Sequence, residues 1–405
     1  MHRRVFVFFV LLICILPAAC SSQTVQPRVQ LGADILMRDS LHLLRGKRVG
    51  LITNHTGRHS NGAMLVDSLV RSGINVVALF GPEHGVRGFA QAGAKVSDSV
   101  DAKTGIPIIS LYGKHKKPTQ EMLVNVDVLV YHIQDVGARF YTYISTMTLA
   151  MEAAAEKDIP FVVLDRPNPL GGETIDGPVM EDSLKSFIGM LPIPVIYGLT
   201  CGELARMIND EGWLTSGKRV SLTVIPMENW HRSMTWDKTG LGWVPPSPNI
   251  PTFQTAMIYP SACFVEATNV SEGRGTARPF ETIGAPFMKG EGLSQSLKEV
   301  GLKALPTVFI PTSSKFKGET CEGVLIENDH EPHRPVAFGL TILQQLSRLW
   351  PEHVRFDAPG FARLMGNATV LPRLLAGDSV DSIALEWRPG LVGFRSSSTR
   401  YLLYK

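Results

Sequence analysis

The chain has 405 residues, of which 44% are hydrophobic and 19% are charged, and its formal net charge is +3 at pH 7. This length suggests two domains or one large domain, and the hydrophobic content is ample for packed cores. The small net charge and the lack of a long Lys/Arg block give no indication of a nucleic-acid-binding protein, and no such partner is predicted.

Residues 1–20 predict an exported protein. Arg3 and Arg4 precede an apolar run that is too short to span a bilayer as a helix. Small residues come just before Cys20, as in a bacterial lipobox, although Pro17 stands where leucine is usual. We therefore expect a signal peptide of lipoprotein type, which would leave the protein periplasmic or anchored to the membrane by a lipid on Cys20. Cleavage by an ordinary signal peptidase is the alternative.

Residues 21–34 are rich in Ser, Gln and Pro and are expected to be a tether. From 35 to 260, apolar runs alternate with residues at helical spacing. Nearly uninterrupted apolar runs are typical of strands buried on both faces, as in parallel sheets. This pattern predicts a Rossmann-like α/β domain with a parallel sheet. Its predicted strands are 47–53, 76–79, 107–111, 128–133, 161–164 and 220–224.

A soft domain boundary is expected near 260. The stretch 245–251 contains four prolines, which exclude regular structure because proline fixes φ and lacks a backbone donor. Residues 261–405 then predict a smaller C-terminal α/β domain. Its predicted helices are 292–302, 336–350 and 379–387, and its predicted strands are 307–310 and 323–326.

Polar side chains follow four of the strands predicted for the first domain. Because the carboxyl ends of parallel strands meet at one edge of a sheet, these side chains are expected to line one crevice. The alternative is that Asp135 with Arg139, and Asp165 with Arg166, are ion pairs that only fix the loops. The strand-end candidates are Asn54, Glu83, His84, Asp135, Arg139, Tyr141, Tyr143, Asp165, Arg166 and Asn168.

The second half contains one dense polar stretch, residues 266–280, which includes Asn269, Glu272 and Arg274. Loops with such side chains often carry function, and a solvated loop is the alternative. The chain has no Gly-x-Gly-x-x-Gly fingerprint and no Gly-x-Ser-x-Gly nucleophile elbow. Neither a cofactor nor a metal is therefore predicted.

Four long motifs carry a resemblance to a known family. In chain order they are Gly81–Gly85, Gln134–Tyr143, Asp165–Pro169 and Glu266–Thr276. Together they resemble the exo-β-N-acetylmuramidases, the NamZ or YbbC-like glycoside hydrolases, over roughly 30–405. The resemblance implies release of terminal N-acetylmuramic acid from the non-reducing end of peptidoglycan fragments, whether muropeptides or disaccharides. It also implies a Rossmann-like N-terminal domain, a smaller C-terminal domain and an active site in the cleft between them.

In that family the glutamate that matches Glu83 is the favoured catalytic residue. We expect Glu83 to be the general acid that protonates the glycosidic oxygen, while His84 either tunes it or holds the turn. Glycosidases usually need a second carboxylate, or else the acetamide of the substrate as nucleophile. Asp135, Asp165 and Glu272 are the candidates for a base or for a group that orients the acetamide, and Asp135 is preferred.

The remaining candidates are expected to bind substrate. N-acetylmuramic acid carries a lactyl carboxylate that N-acetylglucosamine lacks, and Arg139, Arg166 or Arg274 would recognise it. Amide groups and tyrosine rings would contact the rest of the sugar; these residues are Asn54, Asn168, Asn249, Asn269, Tyr141 and Tyr143. A non-catalytic periplasmic lipoprotein that binds cell-wall sugars is the alternative function, because two α/β lobes suit a binding protein equally well. An exported esterase or deacetylase is the weakest alternative.

Overall fold

The computed structural model describes residues 28–83, 85–87, 98–327 and 334–405. Within these ranges the strands of the larger sheet are β1 (Arg48–Thr53), β2 (Asn75–Gly81), β3 (Ser99–Val100), β4 (Pro107–Ser110), β5 (Val128–His132), β6 (Phe161–Leu164) and β7 (Leu222–Ile225). They lie in the order β3-β4-β2-β1-β5-β6-β7, and every neighbouring pair is parallel except β3 with β4. This mainly parallel sheet confirms the predicted α/β class.

The central strands are apolar because both faces of the sheet are covered. Every residue of β5 and β6 is buried, as is usual where helices pack on both sides. The helices of this domain are α1 (Gly32–Ile35), α2 (Leu65–Arg71), α3 (Tyr143–Glu156) and α4 (Cys201–Asp210). Helix α4 begins with a capping box, in which the side chains of Thr200 and Glu203 each accept a backbone N–H of the other residue.

The N-terminal tether is shorter than predicted. Val29 and Leu31 are buried, and the backbone of Gln30 pairs with that of Glu228. The tether prediction is therefore wrong for 28–34, since two apolar side chains in this polar stretch anchor it to the folded domain. The predicted signal peptide, 1–20, lies outside the described residues.

A smaller antiparallel sheet follows, with strands β8 (Thr282–Ala285), β9 (Ala304–Phe309) and β10 (Cys321–Ile326), and β10 is its middle strand. The helices after β7 are α5 (Phe253–Ala262), α6 (Gly290–Glu299), α7 (Pro335–Leu349), α8 (Ala358–Met365), α9 (Val370–Leu375) and α10 (Val380–Ser398). The boundary predicted near 260 falls inside α5, which continues through Pro260. Among the described residues no helix is both long and apolar enough to cross a bilayer.

Candidate active site

The strand order places the loops after β1, β2 and β5 side by side. Strand β1 lies between β2 and β5, and the three strands run parallel. From β1 the chain first adds β2 and β4 on one side, and then adds β5, β6 and β7 on the other side, so the strand order reverses next to β1. Open α/β sheets bind ligands at such a reversal, outside the carboxyl ends of the strands. Glu83 lies here, just after β2 ends at Gly81. Gly85 permits the turn because its φ of 71° is left-handed; His84 lies outside the described residues.

Hydroxyl groups surround the half-buried Glu83 carboxylate. The Thr142 hydroxyl lies 3.5 Å from its Oε2 atom. The Tyr112 hydroxyl is also within hydrogen-bonding range, and burial followed by the Glu83 charge raises the pKa of Tyr112 to about 12. Burial raises the pKa of Tyr141 and Tyr143 as well, and the Glu83 charge adds to both shifts. The carboxyl group therefore lies where hydroxyl donors can orient it.

The proline-rich loop reaches the same strand ends through two hydrogen bonds. The Tyr143 hydroxyl donates to the Pro246 carbonyl oxygen at 2.7 Å. His55 Nε2, after β1, lies 2.6 Å from the Pro245 carbonyl oxygen. Asn249 belongs to this loop and is partly exposed. The irregular backbone predicted at 245–251 thus supplies acceptors that regular structure would have used internally.

Tyr141 and Tyr143 form a buried wall at this edge. Tyr143 is 1% exposed and Tyr141 is 9% exposed. Their rings meet edge to face with centroids 4.8 Å apart, and Tyr141 meets Tyr259 in the same way at 5.9 Å. The structure does not support the prediction that they stack on a sugar, because both rings are enclosed by neighbouring side chains.

A pocket of about 470 Å³ opens beside Glu83. Tyr112 and Thr142, which both contact Glu83, form part of its wall. This volume lies in the range of roughly 300–1,000 Å³ that is typical of small-molecule sites. The pocket lies between the two domains, because its wall combines the loop after β4, the segment 186–188 and helix α8. Its lining residues are Tyr112, Gly113, Lys116, Thr142, Ser186, Phe187, Ile188 and Arg363.

Asp135 does not line this pocket. The side chain is 5% exposed, and its Oδ2 atom accepts hydrogen bonds from the Tyr197 hydroxyl and from the Gly137 backbone N–H. It borders a separate cavity of about 10 Å³, which has room for about one water molecule. A sugar ring does not fit there. The structure therefore does not support the prediction that Asp135 is the second catalytic carboxylate.

Asp165 and Arg166 are bonded within the fold, to the loops of the first domain and to Tyr404 near the end of the chain. Asp165 is fully buried and accepts from the hydroxyl groups of Thr200 and Tyr404 at 2.7 and 2.6 Å. The Arg166 guanidinium instead donates to the Gln134 side-chain oxygen at 2.8 Å. The predicted side-chain ion pair between the two does not form. Because these groups are buried and already bonded, the structure does not support substrate-binding or catalytic roles for them.

Arg139 joins the two domains. It is fully buried, and its Nη1 atom donates to the carbonyl oxygens of Pro178 and Ile193 at 2.9 and 2.7 Å. Its Nη2 atom donates to the carbonyl oxygens of Leu364 and Met365 at 3.1 and 2.7 Å. These last carbonyls end α8 and have no partner within the helix. Arg139 therefore fastens α8 to the first domain. It does not form the predicted ion pair with Asp135, and its buried guanidinium is not accessible to a ligand.

The polar stretch of the smaller domain is also bonded internally. Glu272 is 2% exposed and lies between Arg274 at 3.2 Å and Lys315 at 3.0 Å. Arg274 also bonds to Glu266 and covers the Phe280 ring at 5.0 Å from the centroid. These contacts do not support a role for Glu272 as catalytic carboxylate or for Arg274 as the reader of a substrate carboxylate.

Three predicted asparagines have structural hydrogen bonds of the same kind. Their partners are the N–H and hydroxyl groups of Thr56 for Asn54, the Leu199 carbonyl for Asn168 and the His353 carbonyl for Asn269. Asn54 and Asn168 are also buried. The bonds of Asn54 to Thr56 fit a local turn, whereas those of Asn168 and Asn269 join segments far apart in the chain. The structure does not support substrate contacts for Asn168 and Asn269. The buried Nδ2 atom of Asn54 has no hydrogen-bond partner among the described residues, so a substrate contact of Asn54 stays a prediction.

Two family models together cover most of the chain. The model of the N-terminal domain of exo-β-N-acetylmuramidase NamZ matches residues 49–254, and that of its C-terminal domain matches residues 257–404. This chain belongs to the NamZ exo-β-N-acetylmuramidase family. Its sequence is 46% identical over 385 residues to peptidoglycan β-N-acetylmuramidase NamZ of Bacillus subtilis strain 168, which covers 94% of this chain and 92% of the relative.

Two solved structures from Bacteroides fragilis NCTC 9343, both of DUF1343 family proteins, share the fold of this NamZ-family chain. One has a TM-score of 0.86 at 39% identity, covering 93% of this chain and 99% of its own. The other has a TM-score of 0.79 at 35% identity, covering 94% and 99%. The family predicted from four sequence motifs is thereby confirmed.

Sequence reasoning missed several residues that line the pocket of this NamZ-family chain. Tyr112 directly follows the strand β4 and its neighbour Leu111, so the strand-end rule could have found it. Lys116, Phe187 and Arg363 belong to no motif. Only the packing of the two domains brings them together.

The buried Asp135 predicts a pH dependence of stability. Burial raises its pKa to about 6 from the usual value of 3.8. Below pH ~4 the Asp135 carboxyl group is protonated in both the folded and the unfolded protein. Above pH ~6 it is ionised in both, and the folded protein then has the cost of a buried charge. Between these values the wild type should lose up to about 3 kcal/mol in free energy of unfolding relative to Asp135→Asn.

Urea unfolding of both proteins at pH 4 and pH 7 checks this expectation. The exposed Asp210 provides a matched control, since Asp210→Asn should leave the pH dependence of the wild type unchanged. Equal pH dependence in the wild type and Asp135→Asn would contradict the burial argument.

Proposed function

We propose that this chain is a glycosidase that releases terminal N-acetylmuramic acid from the non-reducing end of peptidoglycan fragments, with Glu83 as general acid. One observation carries the proposal: a half-buried carboxyl group at the ligand-binding edge of the sheet adjoins a sugar-sized pocket. Membership of an exo-β-N-acetylmuramidase family supports the reaction class, and the name of the Bacillus subtilis relative supports peptidoglycan as the substrate.

In this reaction Glu83 gives its proton to the glycosidic oxygen as the bond to the anomeric carbon breaks. The hydroxyl groups of Tyr112 and Thr142 hold the carboxyl group in place. Once the shortened fragment has left, the Glu83 carboxylate takes a proton from the attacking water. One residue thus serves first as acid and then as base.

The substrate's own acetamide is the nucleophile that fits best. The described lining of the pocket contains no carboxylate, and Asp135, Asp165 and Glu272 are buried and bonded elsewhere. The acetamide oxygen would attack the anomeric carbon as the leaving oxygen departs and form an oxazolinium ring. Water would then open this ring from the opposite face, so the released sugar keeps its β configuration.

Purified disaccharides test the proposal. We expect N-acetylmuramyl-β-N-acetylglucosamine to be cleaved, with β-N-acetylmuramic acid seen first by proton NMR before it mutarotates. The isomer with N-acetylglucosamine at its non-reducing end should remain intact. Binding without product release would favour the alternative, a non-catalytic sugar-binding lipoprotein. An α product, or loss of turnover in a folded Asp135→Asn variant, would instead restore a carboxylate as the second catalytic group.

We also propose that the protein is exported, because its substrate is a cell-wall polymer and residues 1–20 have the pattern of a signal peptide. Lipid attachment at Cys20 stays a prediction. We propose muropeptides or disaccharides from peptidoglycan as the binding partners, and we propose no nucleic-acid partner.

A further inference from the structure

Two cations line the pocket from opposite domains. Lys116 comes from the loop after β4 and Arg363 comes from α8, and both are exposed. Neither forms an ion pair with any residue in the described ranges. The adjacent Lys117 does, since its Nζ atom lies 2.6 Å from Glu156. Unpaired cations on a pocket wall leave two positive charges for a ligand to neutralise.

The Lys116 side chain and the helix that carries Arg363 both have defined contacts. The Lys116 Nζ atom lies over the Phe187 ring, 4.2 Å from its centroid. Arg363 is carried by α8, whose last carbonyls are held by Arg139. Gly366 ends this helix with a φ of 71°, and a Cβ atom there would lie 2.4 Å from the Arg139 Nη2 atom. These contacts fix the end of the helix that carries Arg363, while the exposed Arg363 side chain extends from it.

We propose that Lys116 and Arg363 form a carboxylate subsite that recognises the lactyl group of the terminal N-acetylmuramic acid. The inference rests on the proposed function. The lactyl ether is attached to the ring carbon beside the one that bears the acetamide, and that carbon in turn adjoins the anomeric carbon. A sugar whose glycosidic oxygen meets Glu83 therefore presents its carboxylate within the same pocket. Tyr112 and Thr142 belong to both the Glu83 environment and this pocket.

The three arginines predicted from sequence do not supply this function. Arg139 and Arg166 are buried and donate to protein acceptors, and Arg274 is bonded to Glu266. Lys116 and Arg363 are left as the pocket cations without a protein carboxylate. Opposite charges in a partly enclosed pocket attract more strongly than in open solvent, so the lactyl carboxylate gives the enzyme its selectivity over N-acetylglucosamine.

Calorimetric titration of the Glu83→Gln protein tests the subsite without turnover. The ligands are N-acetylmuramic acid and its lactyl amide, which has the same shape without the charge. We expect Lys116→Met and Arg363→Met, each in this background, to weaken binding of the acid about tenfold or more and to leave binding of the amide unchanged. Lys114→Met and Arg388→Met remove exposed cations outside the pocket, and neither should change either affinity.

Equal weakening of acid and amide would overturn the proposal, because it would reveal a loss of shape and not of charge recognition. Equal affinity of the parent protein for acid and amide would overturn it too. A third ligand carries a dipeptide on the lactyl group, which moves the carboxylates to the peptide. If Lys116→Met and Arg363→Met weaken binding of this ligand alone, the subsite recognises the peptide and the lactyl assignment is wrong. Release of N-acetylmuramic acid by the wild-type protein is measured separately, so that failure of the proposed function can be distinguished from failure of the carboxylate subsite.

Discussion

Replacing Glu83 by glutamine should lower kcat on N-acetylmuramyl-β-N-acetylglucosamine by about a thousandfold, within the range usual for loss of a general acid. The amide has the same shape and can still accept a hydrogen bond from Tyr112, but it has no proton to give. Sugar leaving groups depart poorly without protonation. Substrate binding should change little, so the loss should appear in kcat and not in KM.

A dinitrophenyl β-N-acetylmuramide separates proton donation from a general loss of structure. Its leaving group needs no proton, so the first turnover by Glu83→Gln should proceed within about tenfold of the wild-type rate. Glu121→Gln makes the same chemical change at an exposed position and should leave both activities intact. An equal deficit on the two substrates would mean that Glu83 does not act as the acid, and normal turnover of the disaccharide would remove it from the mechanism.

Glu83 could be predicted because its position follows from a simple rule of sheets. The apolar run before it predicts a strand buried on both faces, and β2 is buried at five of its seven positions. A polar residue after such a strand stands at the ligand edge whatever the rest of the chain does. The same rule covers Tyr112 after β4, whose predicted strand was correct although no role was assigned to its end.

The rule predicts where a side chain lies but not what it bonds. Asp135, Arg139 and Asp165 all follow the expected strands, yet each is buried and bonded within the protein. Each of them has at least one partner from a segment far along the chain, which for Asp135 is Tyr197. For Arg139 these include the end of α8, and for Asp165 they include Tyr404. A local sequence motif does not show whether a carboxylate binds a ligand or accepts hydrogen bonds from other parts of the same protein.

Helix α5 was missed for a related reason. All residues from Thr255 to Ala262 are buried, so this helix shows no alternation of apolar and polar faces, and periodicity cannot reveal it. A proline inside a helix, here Pro260, is also unfavourable by local propensity. Helix α10 likewise continues to Ser398 past Pro389, well beyond the predicted end at 387. In α5, tertiary packing overrides local propensity.

Replacing Arg139 by methionine should lower the free energy of unfolding by about 3–4 kcal/mol. Four carbonyl oxygens would lose a charged donor in a fully buried position. Hydrogen bonds to charged groups contribute about 1.5–3 kcal/mol each, and an unsatisfied buried acceptor has a cost of similar size. Part of this loss is offset because the buried guanidinium is itself unfavourable, and its burial lowers the pKa of Arg139 to about 9.

Arg139→Lys should recover only a fraction of the loss, because one ammonium group cannot reach carbonyls on two sides as the planar guanidinium fork does. The exposed Arg71 is the matched control, and Arg71→Met should change the free energy of unfolding by less than about 0.5 kcal/mol. Chemical denaturation measures all three. If Arg139→Met lost less than 1 kcal/mol, α8 would be held by its apolar contacts alone. The hydrogen bonds from Arg139 would then not fix the position of α8, and the pocket wall that carries Arg363 would not be held by the first domain.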